Sequence, residues 1–309
     1  MDEFRLAEKL MGSAFELIIR DTDKTRAETM LLEGRNEIKR LENLLTEFDP
    51  LSYTSQLNIN AGIKPVQVDA EVYQLIGRCI GLSNLTQGAF DISVGPLKKL
   101  YNFKNESFTF PEKSAVKKAL SLVGFQHISL RDDHHVFLKK KGMHISFAAV
   151  GKGYAADQVK KLWQEKGVSH GVINASGDLT VIGQKSDEQP WQIGIANPDA
   201  TREVLCYLPV ENASVATSGD YEQFFMRGGN RYAHTIDPRT GKPVTGIKSV
   251  SVVSPGAELC DALATAVFVM GIEVGIHFIN QLPKTHCLII NDKNEVFHSR
   301  NLTFKHAEN

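Results

Sequence analysis

The sequence predicts an α+β fold in which mixed, largely antiparallel sheets pack against helices. Three observations lead there. From Gln126 onward, short segments of alternating apolar and polar character dominate: HISLRD, HVFLKK, MHISFAAV, HGVINA, LTVIG, WQIGIA, EVLCYLPV, RYAHTI and SVSVVS. Such alternation marks half-buried strands. Only two clear helices interrupt them, Tyr154 to Lys166 and one beginning near Pro255, so strands and helices do not alternate as in a doubly wound sheet. A chain of 309 residues with 42% hydrophobic composition buries a large core. One domain over 1–309, or two lobes intimately packed, is expected.

The elements follow in order. Ala14 to Asp21 is short, apolar and β-branched, as a strand should be. From Thr25 to Phe48, Leu31, Ile38, Leu41, Leu45 and Phe48 recur on one helical stripe. Ala70 to Thr86 and Pro111 to Gly124 read as two more helices, the second opened by Pro and closed by Gly. Between them GAFDISVGPLKKLYNF has no clean period, and irregular segments with aromatics, an acid and glycine often line sites. In the last long helix Ser254 is the expected N-cap, with Pro255 at the first helical position.

Charge and cysteines narrow the function. With 35 basic against 36 acidic residues the formal net charge is -1, which excludes a chain built to track nucleic acid. The four cysteines, Cys79, Cys206, Cys260 and Cys287, are far apart and lack a C-x-x-C pairing, so they read as buried thiols. No apolar run reaches the length of a membrane span. As the sequence stands a cytoplasmic protein is expected, or a periplasmic or lipid-anchored one if a signal was removed.

Four constellations could carry chemistry. Gly151, Gly153 and Ala156 satisfy the G-x-G-x-x-A form of a dinucleotide fingerprint, and Asp178 follows at about the 20-residue spacing of a ribose-binding acid. Against a Rossmann turn, the surroundings lack repeated β-α-β alternation. Under another fold, a helix starting at Gly153 or Tyr154 still offers free N–H groups to an anion, with Lys152 adding charge. Asp261 and Thr265, four apart on one helix, present a carboxylate and a hydroxyl suited to Mg²⁺. The plain alternative is an exposed Asp261 and a Thr265 hydroxyl bonded to the carbonyl four residues back.

In RYAHTIDPRTGKPVTGI the run DPRTGKP is a turn, His234 could act as a base, and Arg239 and Lys242 could meet phosphate. SVATSGDYEQFF and NASGDL are small-residue segments that offer N–H groups to an anion or serve as ordinary turns. Neither a G-x-S-x-G elbow nor a Walker A lysine motif is present.

The order of these segments resembles the ApbE family of FAD:protein FMN transferases along nearly the whole chain. MGSAFELII, FDPLSYTSQLN, GAFDISVGPL, VGKGYAAD, HTIDPRTGKP and DALATAVFVMG follow in family order. The resemblance implies an ApbE-like (T-fold-like) domain and Mg²⁺-dependent transfer of the FMN moiety of FAD to a Thr or Ser hydroxyl of an acceptor flavoprotein, releasing AMP. It implies a metal site at Asp261, Thr265 and the Ala149 carbonyl. Flavin and adenine contacts are implied at Met11, Phe48, Ala89, Phe90, Asp91 and Lys152, and His234 or Asp261 is implied as base or phosphate contact. Asp178 then becomes a spacing coincidence.

Two departures stand out: Ser146 where the family commonly has an acid, so that its hydroxyl replaces that contact only in part, and Ser13 where threonine is usual. Competing readings are an FAD pyrophosphatase using water as nucleophile, a non-catalytic flavin-binding protein, and a NAD(P)-binding oxidoreductase.

Overall fold

The computed structural model describes residues 1–101, 103, 109–185, 189–219 and 224–307. In chain order the first elements are β1 (Asp2–Leu10), β2 (Ser13–Asp21), α1 (Lys24–Leu45), α2 (Tyr53–Ile59), β3 (Val66–Gln67), α3 (Ala70–Leu85), α4 (Gly95–Lys98) and α5 (Lys113–Leu120). Next come β4 (Ile128–Arg131), β5 (His135–Leu138), α6 (Gly151–Glu165), β6 (Gly171–Ala175), β7 (Asp178–Ile182), β8 (Trp191–Asn197), β9 (Ala200–Val210) and β10 (Ser214–Gly219). The chain ends with β11 (Phe224–Arg227), β12 (Asn230–Ala233), β13 (Ile247–Ser254), α7 (Ala257–Met270), α8 (Ile272–Ile279), β14 (His286–Asn291), β15 (Val296–His298) and β16 (Lys305–His306).

The α+β expectation holds. An 8-stranded sheet runs in the order β1-β2-β6-β7-β10-β13-β14-β15, and every neighbouring pair in it is antiparallel. Its two faces serve different layers because side chains alternate along a strand. On β2, Leu17 and Ile19 face a core shared with Ile38 and Leu41 of α1 and Val159 and Trp163 of α6. Ile18, between them, faces the opposite side with Val172 and Val181, where Ile193, Ile195 and Leu208 of the β16-β9-β8 sheet cover it. A smaller sheet, β3-β5-β4, completes the first core with Val136 and Leu138 beside α3.

Two tight hairpins bring chain to one end of the large sheet. Met11 and Gly12 join β1 to β2 with φ of 50° and 73°, and Ser176 and Gly177 join β6 to β7 with φ of 59° and 100°. Two successive positive φ values are what a two-residue hairpin requires to match the strand twist.

Several boundaries differ from expectation, each for a visible reason. β1 escaped notice because its charged residues mask an alternation in which Phe4, Leu6 and Leu10 are the more buried members. The helix α1 begins under an Asp23 cap, which accepts Arg26 N at 3.1 Å, and stops at Leu45. Phe48 lies past its end, ahead of Pro50, and is 87% exposed, so it leaves the apolar stripe. MHISFAAV is not a strand. Asn58 brackets Ile145, its Oδ1 accepting Ile145 N at 2.7 Å and its Nδ2 donating to Ile145 O at 3.0 Å, while Ser146 N donates to Ile92 O at 2.9 Å. Loop partners thus satisfy groups that a sheet ladder would have taken.

SVATSG, read as a loop, is the interior strand β10; its hydroxyls find partners across the sheet, Thr217 Oγ1 with Ser251 Oγ at 2.8 Å and Ser214 Oγ with Thr180 Oγ1 at 3.1 Å. RYAHTI holds strand geometry only to Ala233, and Pro111 to Gly124 forms helix only over Lys113–Leu120. All four cysteines are buried, as expected. No helix among the described residues is long and apolar enough to cross a membrane.

The start of α7 also differs. Its N-cap is Gly256, and Ser254 Oγ donates to Gly256 O at 2.8 Å instead of capping the helix. The cap comes from another helix: the Asp157 carboxylate of α6 accepts Ala257 N at 2.8 Å and Glu258 N at 2.9 Å. Burial raises the Asp157 pKa despite these two bonds. The helices touch here because Gly153 has no side chain, since a Cβ on it would lie 2.3 Å from the Ala257 carbonyl oxygen. Replacing Gly153→Ala therefore forces backbone apart, and urea unfolding should show a loss of about 1–3 kcal/mol.

Candidate functional site

A cleft of about 360 Å³ opens where the hairpin tips, the segment before α4, the start of α6 and the first turns of α7 converge. Its walls include Ser13 and Ser176 from the two hairpins, Ala89, Phe90, Asp91 and Lys98 from the region ending at α4, and Ser146, Ala149 and Lys152 around the start of α6. Asp178, Thr217 and Ser218 come from the large sheet, His234 and Thr235 from beyond β12, and Asp261 and Thr265 from α7.

Asp261 is 7% exposed, which rules out the solvated carboxylate that its place in the sequence allowed. Burial, with the charge of nearby Asp178 adding to it, pushes its pKa up to about 7. Among the described residues its hydrogen-bond partner is the Gly153 N–H, 3.3 Å from Oδ2. A buried carboxylate this poorly compensated carries a cost that a cation would relieve. Thr265, one turn on, faces the same space; its Oγ1 lies 3.2 Å from Ser218 Oγ, so the hydroxyl is directed across the cleft. Ala149 lies in the turn preceding α6 and also lines the cleft.

These are hard oxygen donors of the kind that hold a small divalent cation through one carboxylate, neutral oxygens and a ligand's own phosphates. The described residues contain no group of three or more His, Cys, Asp or Glu able to hold a metal.

Asp178, dismissed as a coincidence of spacing, lines the cleft. Its Oδ2 accepts Lys152 Nζ at 2.7 Å and its Oδ1 accepts Thr217 N at 2.9 Å. The fingerprint spacing therefore places these residues in one site without making a Rossmann unit. The residues Gly151 to Ala156 form the first turns of α6, which begins two residues before the expected start, and no strand precedes them. The N–H groups expected to be free there are largely taken within the chain, Gly151 N donating to Phe147 O at 2.6 Å and Gly153 N to Asp261 Oδ2 at 3.3 Å.

Asp91 is buried and fully engaged: Oδ1 accepts from Ser93 N at 2.8 Å and Ser93 Oγ at 2.7 Å, and Oδ2 accepts from Phe125 N at 2.8 Å. Burial still raises its pKa. Its role in this arrangement is to fold the irregular segment that presents Ala89 and Phe90 to the cleft; the Phe90 ring itself belongs to the core. Met11 packs against that core at the β1–β2 turn, its Cε 3.5 Å from where a Cβ on Gly151 would be, behind the cleft walls.

Phe48 is not among the cleft-lining residues. Arg239 turns away to pair with Asp237, its Nε 2.9 Å from Oδ1, and Lys242 lines a separate recess with Tyr101 and Tyr232. Lys98, which no motif singled out, reaches the cleft from the end of α4. Ser146 Oγ donates to Glu47 Oε1 at 3.1 Å, which brings a second unforeseen carboxylate to the edge of the site.

The ApbE family profile matches residues 11–289. The chain belongs to the ApbE family. A protein of Treponema pallidum named FAD:protein FMN transferase is 33% identical over 255 residues, covering 77% of this chain and 70% of that one. Another of that name from Klebsiella pneumoniae is 31% identical over 290 residues, covering 93% and 89%. Among solved structures, the ApbE protein of Thermotoga maritima superposes with a TM-score of 0.87 at 30% identity over 97% of both chains. The apo flavinyl transferase ApbE of Pseudomonas stutzeri gives 0.85 at 25% identity, over 97% of this chain and 95% of that one.

The state of Asp261 has a consequence for stability in the absence of metal. Its folded pKa of about 7 lies above the ordinary carboxylate value, so the folded state holds this proton more tightly than the unfolded chain does. The cost of ionising it is absent below the unfolded pKa and fully present above about pH 7. In EDTA, Asp261→Asn should therefore raise the melting temperature relative to the native chain more at pH 8 than at pH 5. The gain at pH 8 should be about 2 °C or more by scanning calorimetry.

Proposed function

We propose that the protein transfers the FMN moiety of FAD to a Thr or Ser hydroxyl of an acceptor flavoprotein, with release of AMP. The observation that supports this most is the convergence on one cleft of Asp261, Thr265, Lys152, Ala89 to Asp91 and His234, from motifs far apart in the chain, in a member of the ApbE family. Further support comes from relatives named FAD:protein FMN transferase that align over most of this chain.

The reaction balances without a redox partner. The acceptor oxygen forms a bond to the FMN-side phosphorus, the bridging P–O bond to the AMP side breaks, and the hydroxyl proton passes to a base. His234 and Asp261 both line the cleft, and either is placed to take that proton. The cationic side chains that line the cleft address the diphosphate. Mg²⁺, held by Asp261, Thr265 and the Ala149 carbonyl, would neutralise charge developing on the diphosphate.

Asp178 holds the Lys152 ammonium in place through the 2.7 Å contact and is itself held by Thr217 N. Lys152→Met is therefore expected to weaken FAD binding and to leave Asp178 with the Thr217 N–H but without its cation.

The reading is tested by incubating the protein with FAD and Mg²⁺, with and without a candidate acceptor, while following AMP and protein-bound flavin by mass. AMP and a covalent FMN adduct only with acceptor is the expected result. AMP without acceptor would show a pyrophosphatase, and flavin binding without AMP under either condition a binding protein. Asp261→Ala should abolish Mg²⁺-dependent transfer while the circular dichroism spectrum is retained; undiminished transfer removes Asp261 from the metal site.

A further inference from the structure

We infer that Lys98 is a specificity-determining residue of the cleft, supplying the ammonium that recognises a diphosphate and so separates a flavin dinucleotide from riboflavin. The inference rests on the FAD reading for its natural ligand, and on the cleft geometry for its chemistry.

Lys98 closes α4, a short helix whose backbone is held on both sides. Gly95 packs so closely on the segment after β5 that a Cβ there would lie 2.7 Å from His144 O. Leu97 is fully buried with Tyr101, Val123 and Ile236. The last residue of this wedge is therefore delivered to the cleft wall by packing, and its side chain lines the same space as Asp261 and Thr265.

The two cleft lysines differ in what they already hold. Lys152 Nζ is 2.7 Å from Asp178 Oδ2, and that charge is largely spoken for. Lys98 Nζ makes no hydrogen bond and no ion pair among the described residues, although the fields of Glu47 and Asp261 reach it. Lys98 is an exposed residue, and its side chain lines a cleft whose other lysine is already paired. A diphosphate brings negative charge into the cleft that Asp261 also lines, and an uncommitted ammonium on the same cleft meets it with charge-assisted hydrogen bonds. Riboflavin offers no such group, so the preference for phosphorylated ligand falls on Lys98.

The test compares the native chain with Lys98→Met and Lys98→Arg, in EDTA, so that no bound metal contributes. Binding of inorganic pyrophosphate is followed by titration calorimetry, and binding of FAD and riboflavin by flavin fluorescence. Lys98→Met is expected to weaken pyrophosphate and FAD binding about tenfold or more and to leave riboflavin binding and the melting temperature unchanged. Lys98→Arg should retain most of the FAD affinity, and added salt should weaken native binding more than binding by Lys98→Met.

Equal pyrophosphate binding by the native chain and Lys98→Met overturns the inference, as does a matching loss for riboflavin or a native chain that binds no pyrophosphate. A native chain that binds pyrophosphate through Lys98 but neither flavin sustains the assignment of Lys98 and defeats the flavin reading, so the two failures are distinguishable.

Discussion

The cleft depends on one backbone contact, the approach of Gly153 on α6 to the Ala257 carbonyl at the start of α7. Two helix N-termini brought side by side would each present unpaired N–H groups and the positive end of a dipole. The chain resolves this with Asp157, whose two oxygens take Ala257 N and Glu258 N and tie α7 to the flank of α6. With that end of α7 occupied, Asp261 one turn further along is turned toward the Gly153 N–H. That bond closes the Gly153 end of α6 in turn, and Lys152 beside it lines the cleft. One glycine and one capping carboxylate therefore fix how the two helix starts meet beside the cleft.

The same contact sorts the acids of the site by how fully they are satisfied. Asp157 has two backbone donors, Asp91 has three donors across its two oxygens, and Asp178 has a lysine and a backbone N–H. Among the described residues Asp261 has a single long contact, and its pKa is raised. Asp91, Asp178 and Asp261 line the cleft and Asp157 ties α7 to α6, yet Asp157, Asp91 and Asp178 spend their charge on holding backbone and side chains in position. Electrostatic work on a ligand falls to the fourth. A site built this way separates rigid construction from reactivity, as a carboxylate that must bind a cation or take a proton cannot also be locked by strong donors.

Where the sequence was legible, local physics and final structure agreed. The stripe through Leu31, Ile38, Leu41 and Leu45 became the buried face of α1, and the strands rich in valine and isoleucine became the interior of the large sheet. The failures came where a partner distant in the chain overrode a local pattern. MHISFAAV alternates as a strand should, but Asn58 and Ile92 captured its backbone first. SVATSG has a loop's composition, but an interior position between β7 and β13 supplied hydroxyl partners that no neighbouring residue could reveal. Phe48 fitted the helical period but fell beyond the helix end. In the site, Asp261, Thr265 and Lys152 were visible as chemically apt types at apt spacing. Lys98 carried no motif, and its place follows only from the packing of α4.

Ser146 shows why position in a motif and function in a site are separate things. The resemblance to the family implied that an acid was missing there, with a hydroxyl as partial substitute. In the folded chain that hydroxyl donates to Glu47 Oε1, and Glu47 Oε2 lies 3.5 Å from His144 Nε2. Glu47 follows the end of α1, and it reaches this edge because the helix stops at Leu45 and the chain turns before Pro50. Had α1 continued through Phe48, as its periodicity suggested, Glu47 would have been carried on the helix surface instead of being released next to Ser146. The early end of the helix thus exposes Phe48 and, by the same turn, brings a carboxylate to the edge of the cleft where the sequence motif has none.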